Sequence, residues 1–218
     1  MNSRLNQTAL VAFLGFSFFT ANASAQESNV SFGIDYSLST VENNAAIWAQ
    51  TAVNAVGGAA TVTQDTRVST GRIFLGYRIT EKIGIEAGYF RNARINSNLT
   101  GITGGALPYT GTIGVDVDGF DLAATLFPFA EKKEDGGFFV KGGMHSSEVN
   151  SFTSYAGAGV VDQTFTTRTS GTGALFGAGY LQNYEKFFYR AGFFRYSSIG
   201  GNSNIWANLY SIGIGARF

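Results

Sequence analysis

The stretch RIFLGYRITEKIGIEAGY, residues 72–89, reads as two strands around a tight turn. Ile73, Leu75, Tyr77 and Ile79 alternate with Arg72, Phe74, Gly76 and Arg78; beyond Thr80-Glu81, Ile83, Ile85, Ala87 and Tyr89 alternate with Gly84, Glu86 and Gly88. A period of two marks β-strands, because successive side chains point to opposite faces. The period does not say which solvent each face meets. In a soluble sandwich or barrel the apolar side turns inward and the charges meet water; in a membrane barrel the apolar side meets hydrocarbon and the small and charged residues fill the interior.

The same alternation recurs along the chain in eight segments, residues 28–41, 67–80, 82–95, 112–127, 137–150, 167–183, 186–199 and 203–218. Each carries about ten residues of alternation, the length a tilted strand needs to cross a bilayer. The connections differ in kind. The second and third segments are joined by Thr80-Glu81, the sixth and seventh by Tyr184-Glu185, and the fourth and fifth by a charged turn from Pro128 to Gly136, whereas residues 42–66, 96–111 and 151–166 are long and rich in Gly, Asn, Ser and Thr. These three stretches read as loops. The pattern predicts an all-β, eight-stranded, antiparallel up-and-down barrel with two unlike ends. Only the sixth segment, with Ala174, Phe176, Ala178 and Tyr180 against Leu175 and glycines, leaves its facing open.

Residues 1–25 read as a secretory signal peptide: Arg4, an apolar run from Ala9 to Phe19, and Ala23-Ser24-Ala25 as the cleavage motif. Residues 26–218 then form one barrel domain. Removing Arg4 with that segment leaves 193 of the 218 residues, with 14 basic against 15 acidic side chains. That balance gives no basic surplus for nucleic acid. There is no cysteine, so an exported chain of this kind is held by its sheet, its core or lipid and not by disulfides. Twenty-nine glycines and thirty Phe and Tyr residues against two prolines make a β composition.

Three features favour lipid over a soluble core. The non-apolar side is mostly Gly, Ser and Ala with one or two charges per strand, which suits a narrow interior. Aromatics, among them Tyr77, Tyr89, Phe127, Phe129, Phe138, Tyr184, Phe187, Tyr189, Trp206 and Phe218, collect near strand ends, as in interfacial girdles. The last segment, with Tyr210, Ile212, Ile214 and Phe218 on one side, places a bulky apolar residue at its end, which a closed barrel sets against lipid. The chain is therefore expected in the outer membrane of a Gram-negative cell, surrounded by lipid and lipopolysaccharide, with both termini in the periplasm.

With these residues in view, FLGYRITEKIGIEAGYF (74–90), GGFFVKGGMH (136–145) and the terminal YSIGIGARF (210–218) resemble the small outer-membrane barrels of the OmpA-like and OmpX-like type. The resemblance implies a non-enzymatic protein with a structural, envelope-integrity role, whose surface loops 42–66, 96–111 and 151–166 bind host or other partners. It also implies that the C-terminal strand, Tyr210, Ile212, Ile214 and Phe218, is the signal read by the barrel-assembly machinery. The peptidoglycan-binding domain of OmpA itself has no counterpart in this sequence.

Inward-facing charges are Asp35, Arg72, Arg78, Glu86, Asp121, Lys141, Arg190 and Arg217. Buried charges need partners, so a salt-bridged interior is expected, built on Arg72, Glu86, Asp121, Lys141 and Arg190. An alternative function rests on Met144-His145-Ser146-Ser147-Glu148, which holds the one histidine. Lipid A deacylases of the PagL type are also eight-stranded barrels with a His-x-Ser pair and a Glu, so His145, Ser147 and Glu148 look similar to that machinery. Parity argues against it, since His145 and Ser147 share the inward side with Lys141 while Glu148 lies opposite. A narrow channel for small solutes is a further alternative, though eight strands enclose little volume. Gly57-Gly58, Gly104-Gly105 and Gly200-Gly201 lack the Lys-Ser or Lys-Thr of a phosphate loop. Asp116 and Asp118 share one side without further oxygen ligands in sequence, and no cofactor or metal is expected.

Overall fold

The computed structural model describes residues 29–42, 50, 53–54, 57–64, 67–133, 135–157 and 160–218; the signal-peptide reading of residues 1–25 lies outside them. Among the described residues ten strands follow in chain order: β1 (Val30–Glu42), β2 (Ala59–Gln64), β3 (Arg67–Arg78), β4 (Ile83–Asn92), β5 (Ile95–Ile102), β6 (Pro108–Leu126), β7 (Gly137–Gly157), β8 (Val160–Tyr184), β9 (Phe187–Ser197) and β10 (Trp206–Arg217). Eight of them, β1, β3, β4, β6, β7, β8, β9 and β10, pair antiparallel in a ring that β10 closes on β1, from Ser31 opposite Arg217 to Glu42 opposite Trp206. Closure leaves this part of the sheet without an edge, the condition for a β structure to sit in hydrocarbon.

The outward side of the ring is apolar. Ile34, Tyr36, Ile73, Leu75, Ile85, Phe120, Leu122, Phe176, Tyr189, Ile212 and Ile214 are all exposed, most of them by half or more of their surface. A continuous apolar band of this size has no place in water, and it is what lipid requires of a barrel wall. The sixth predicted segment now has a facing: Phe176 and Tyr180 point out, and Leu175 is buried inside.

The polar stretches 96–111 and 151–166, read as loops, are largely sheet among the described residues, which corrects that expectation, and of 42–66 the described strand residues are Glu42 and Ala59–Gln64. Residues 59–64 are β2, 95–102 are β5, β6 begins at Pro108, β7 runs on to Gly157 and β8 starts at Val160. At 21 and 25 residues, β7 and β8 are about twice the length needed to cross a bilayer. The N-terminal half of β6 pairs with β5 and β5 with β2, so a five-stranded sheet in the order β2-β5-β6-β7-β8 rises from one side of the ring. Pro108 is the first residue of its strand, where its missing N–H does least harm.

Why these stretches looked like loops is visible along β6. Odd-numbered residues face inward throughout, but the chemistry on the two sides exchanges at Gly119. Before it, Tyr109, Ile113, Val115 and Val117 are buried inside while Thr110, Thr112, Asp116 and Asp118 face out; after it, Asp121, Ala123 and Thr125 are inside while Phe120 (67% exposed) and Leu122 (56%) face out. β5 follows the upper pattern, with Ile95 and Leu99 buried and Asn96, Asn98 and Thr100 exposed. One parity thus serves two solvents, and the exchange marks the level at which lipid gives way to water.

Inside the ring, large rings lie over glycines of neighbouring strands. A Cβ on Gly33 would stand 2.4 Å from the Phe74 ring, and one on Gly215 would stand 2.2 Å from that of Phe188. The interior is therefore not only small and ionic: Phe74, Phe139, Phe188 and Phe194 are all buried there. Phe127, expected in an outer girdle, also turns inward, 5.8 Å from Phe139 and beneath the Arg78 guanidinium. Gly33→Val should overpack this wall and cost about 1–3 kcal/mol, read as a lower urea midpoint of the refolded barrel, whereas Ser37→Ala on the same strand should cost less.

Candidate functional site

The eight-stranded ring carries six ionised side chains on one interior level. Arg72 donates to both oxygens of Asp121, Nε to Oδ2 at 2.8 Å and Nη2 to Oδ1 at 2.6 Å, and its Nη1 reaches Asp35 at 3.1 Å and Glu86 at 3.3 Å. Arg190 grips Asp35 through Nε (2.8 Å) and Nη2 (2.5 Å) and gives Nη1 to Glu86 at 2.8 Å. Lys141 Nζ donates to Glu86 at 2.6 Å, and the Tyr196 hydroxyl to Asp121 at 3.0 Å. Three cations and three carboxylates from β1, β3, β4, β6, β7 and β9 thus balance in charge, with every member buried. Room for the heads comes from the remaining strands: a Cβ on Gly213 of β10 would stand 2.1 Å from Asp35 Oδ1.

Aromatic layers enclose this level. Arg190 stacks 3.6 Å from the centre of the Phe74 ring on one side, and Lys141 Nζ lies 5.5 Å from that of Phe194 on the other. Low polarity around the layer strengthens its paired contacts and raises the cost of any unpaired charge. The structure brings Arg72, Glu86, Asp121, Lys141 and Arg190 together and adds Asp35 and Tyr196. Tyr196 was missed although its even spacing from Arg190 puts it on the same inward side. Arg78 and Arg217 stand apart, near the end where β1 begins and β10 ends.

His145, Ser147 and Glu148 do not converge. His145 is buried, its Nε2 donating to the Ser197 carbonyl at 2.7 Å, with Phe90 and Tyr196 rings beside it. Ser147 is buried too, and its hydroxyl accepts the Gly200 N–H at 2.9 Å. Gly200 belongs to a short 3-10 turn, Ile199–Gly201, whose Ile199 is buried against the core, so the link between β9 and β10 folds into the mouth of the ring. Gly200 and Gly201 take positive φ there, a conformation glycine adopts without a Cβ clash. Glu148 faces the other way and pairs with Arg168 and Asn150.

Around the level where the two sides of β6 exchange, Arg94 forks onto Asp116 at 3.0 and 2.7 Å, and that hydrogen bond holds the Asp116 carboxyl below its usual range. Burial raises the Asp118 carboxyl, next to Glu148 across the ladder. No cluster of three metal-ligating side chains occurs among the described residues. Farther out, Tyr109 and Tyr155 meet edge-on at 6.3 Å, and burial pushes both phenols up. The hydroxyls of Thr112 and Ser154 meet at 2.8 Å on the outer face.

A closed ring with an apolar outside, an ion-paired inside and strands that outgrow the bilayer defines an integral β-barrel of the outer-membrane type. No family model matches the chain, and no curated protein matches it. Solved structures do share the fold. Ail, the attachment invasion locus protein of Yersinia pestis, superposes with a TM-score of 0.52 at 12% identity, and its complex with the heparin analogue sucrose octasulfate with 0.50 at 11%. Each alignment covers 88% of this chain and all of that one. The N-terminal barrel domain of Pseudomonas aeruginosa OprF aligns over the same share of this chain and all of its own, with a TM-score of 0.42 at 14% identity.

Proposed function

We propose that this barrel is a non-enzymatic outer-membrane scaffold that supports envelope integrity and presents the sheet β2-β5-β6-β7-β8 to ligands outside the cell. The observation that carries this reading is the sheet itself. It continues the barrel wall past the apolar band, is packed on its inner side by Ile95, Leu99, Tyr109 and Ile113, and offers an outer face of Thr, Asn and Ser hydroxyls and amides. A binding surface held by a rigid wall loses little conformational entropy on engagement. That the Yersinia barrel was crystallised with a heparin analogue supports a surface-binding role for a barrel of this shape.

The remaining parts of the reading follow from position. Tyr210, Ile212 and Ile214 on the closing strand and Phe218 just past its end are exposed on the outer side, which supports reading them as the lipid- and lipopolysaccharide-facing signal for the assembly machinery. The ionic layer is structural. Deacylation is disfavoured because His145 and Ser147 are each engaged by backbone groups of the Ser197–Gly200 segment, and both are buried inside the wall, away from the lipid where a substrate would arrive.

The test compares cells expressing the chain with cells expressing a Thr110→Glu, Thr112→Glu, Thr166→Glu variant at equal surface level. Adhesion to cultured epithelial cells and matrix proteins should exceed the empty-vector level for the first and fall back toward it for the second. Adhesion equal to the vector for both would refute display. In the same strains His145→Ala should leave the lipid A mass spectrum unchanged; an altered acyl pattern would put an enzyme in place of the scaffold.

A further inference from the structure

Three of the buried polar side-chain atoms left unsatisfied among the described residues share one cavity. Asn29 Oδ1, Arg78 Nε and Thr125 Oγ1 have no hydrogen-bond partner among the described residues, and all three residues line a single cavity of about 60 Å³ at the end of the barrel where β1 begins and β10 ends. Buried groups of this kind are normally paired, so three around one cavity point to an occupant.

The charge around the cavity says what kind. Arg78, Lys133, Arg190 and Arg217 line it together with the carboxylates Glu86 and Asp135. Glu86 is already neutralised by Arg72, Lys141 and Arg190, and Arg190 is itself committed to Asp35 and Glu86. Asp135 accepts the Glu131 and Lys132 backbone N–H groups at 2.9 and 2.7 Å. Arg78 and Arg217 repel one another, and Arg78 spends Nη2 on the Asp135 carbonyl and its face on the Phe127 ring, leaving Nε without an acceptor. Among the described residues the uncompensated field is positive. The space suits about four waters or one tetrahedral oxoanion, and a guanidinium edge is a planar donor matched to such oxygens.

We propose that this vestibule binds one phosphate-type oxoanion, with Arg78 as its principal donor, Lys133 as a second charge and the Thr125 hydroxyl as a third contact. The Asn29 amide meets a protonated phosphate oxygen with its carbonyl, or an ionised one with its NH₂ after a flip. The phosphate is either free in the compartment at that end or the headgroup of a phospholipid in the adjoining leaflet.

The experiment is calorimetric titration of the refolded full chain, in a phosphate-free detergent at constant ionic strength, with sodium phosphate and separately with dihexanoyl phosphatidic acid. One saturable site is expected for at least one of them, weakened about ten-fold or more in Arg78→Gln, as loss of a charge-assisted hydrogen bond implies. Lys133→Gln, in the turn outside the wall, should weaken it by a smaller factor. Binding of the lipid alone assigns the source to a headgroup, and binding of inorganic phosphate alone to the free ion; both sustain the site. If Arg78→Gln does not reach the folded, heat-modifiable form, Lys133→Gln and Thr125→Val carry the comparison. Failure of both titrants to bind the folded wild type, or binding unchanged in the variants, overturns the proposal and leaves water as the occupant.

Discussion

Arg72→Leu should destabilise the barrel by about 3–5 kcal/mol, the range seen when one partner of a buried ion network is removed. Asp121 keeps only the Tyr196 hydroxyl once both Arg72 contacts are gone, and the layer is left with one negative charge too many. Asp35 and Glu86 still have Arg190 and Lys141, so the damage centres on Asp121. Arg72→Leu combined with Asp121→Leu restores the charge balance, and the pair should recover more than half of the loss. A double-mutant cycle by urea unfolding in lipid vesicles measures that coupling. Equal loss in the single and double variants would show that Arg72 acts by filling space and not by charge.

A second large effect is expected on β6, where the same outward parity meets two solvents. Leu122→Arg places a cation in the lipid band and should cost about 2–4 kcal/mol, enough to lower the yield of folded barrel sharply. Thr112→Arg, ten residues earlier on the same side of the same strand, should lie within about 0.5 kcal/mol of wild type, as solvent-facing substitutions usually do. The inward partners reverse the order. Val115→Asp buries a carboxylate in the upper core and should be severe, whereas Ala123→Ser, near the ionic layer, should be mild.

The sequence showed the ring clearly because its evidence was local: an alternation of two, short turns at one end, and apolar residues on one consistent side. The ionic layer was legible for the same reason, since parity alone puts Arg72, Glu86, Asp121, Lys141 and Arg190 inside. What stayed hidden was the upper sheet. Along Ile95–Ile102 and from Pro108 to Thr112 the alternation continues, but with Asn and Thr outward it has the composition of a loop. Only pairing partners distant in sequence, such as Tyr109 opposite Gly157, make it a strand. The inward fold of Ile199–Gly201 was hidden because its stability comes from Ser147 and the core and not from its own residues. The cavity beside Arg78 needed seven strands and a turn to be placed together.

The exchange of solvents at Gly119 is the claim on which the membrane level, the display surface and the lipid-facing wall all rest. The chain has no cysteine, so single cysteines introduced from 109 to 126 can be spin-labelled without background. Collision with oxygen, which concentrates in hydrocarbon, should dominate at 120, 122, 124 and 126. Collision with a water-soluble nickel chelate should dominate at 110, 112 and 116, and 113, 115, 117 and 121 should be shielded from both. Nickel access at 122 together with oxygen access at 113 and 115 would mean that the apolar side of the ring faces inward to a dry core, and the account would fail at its foundation.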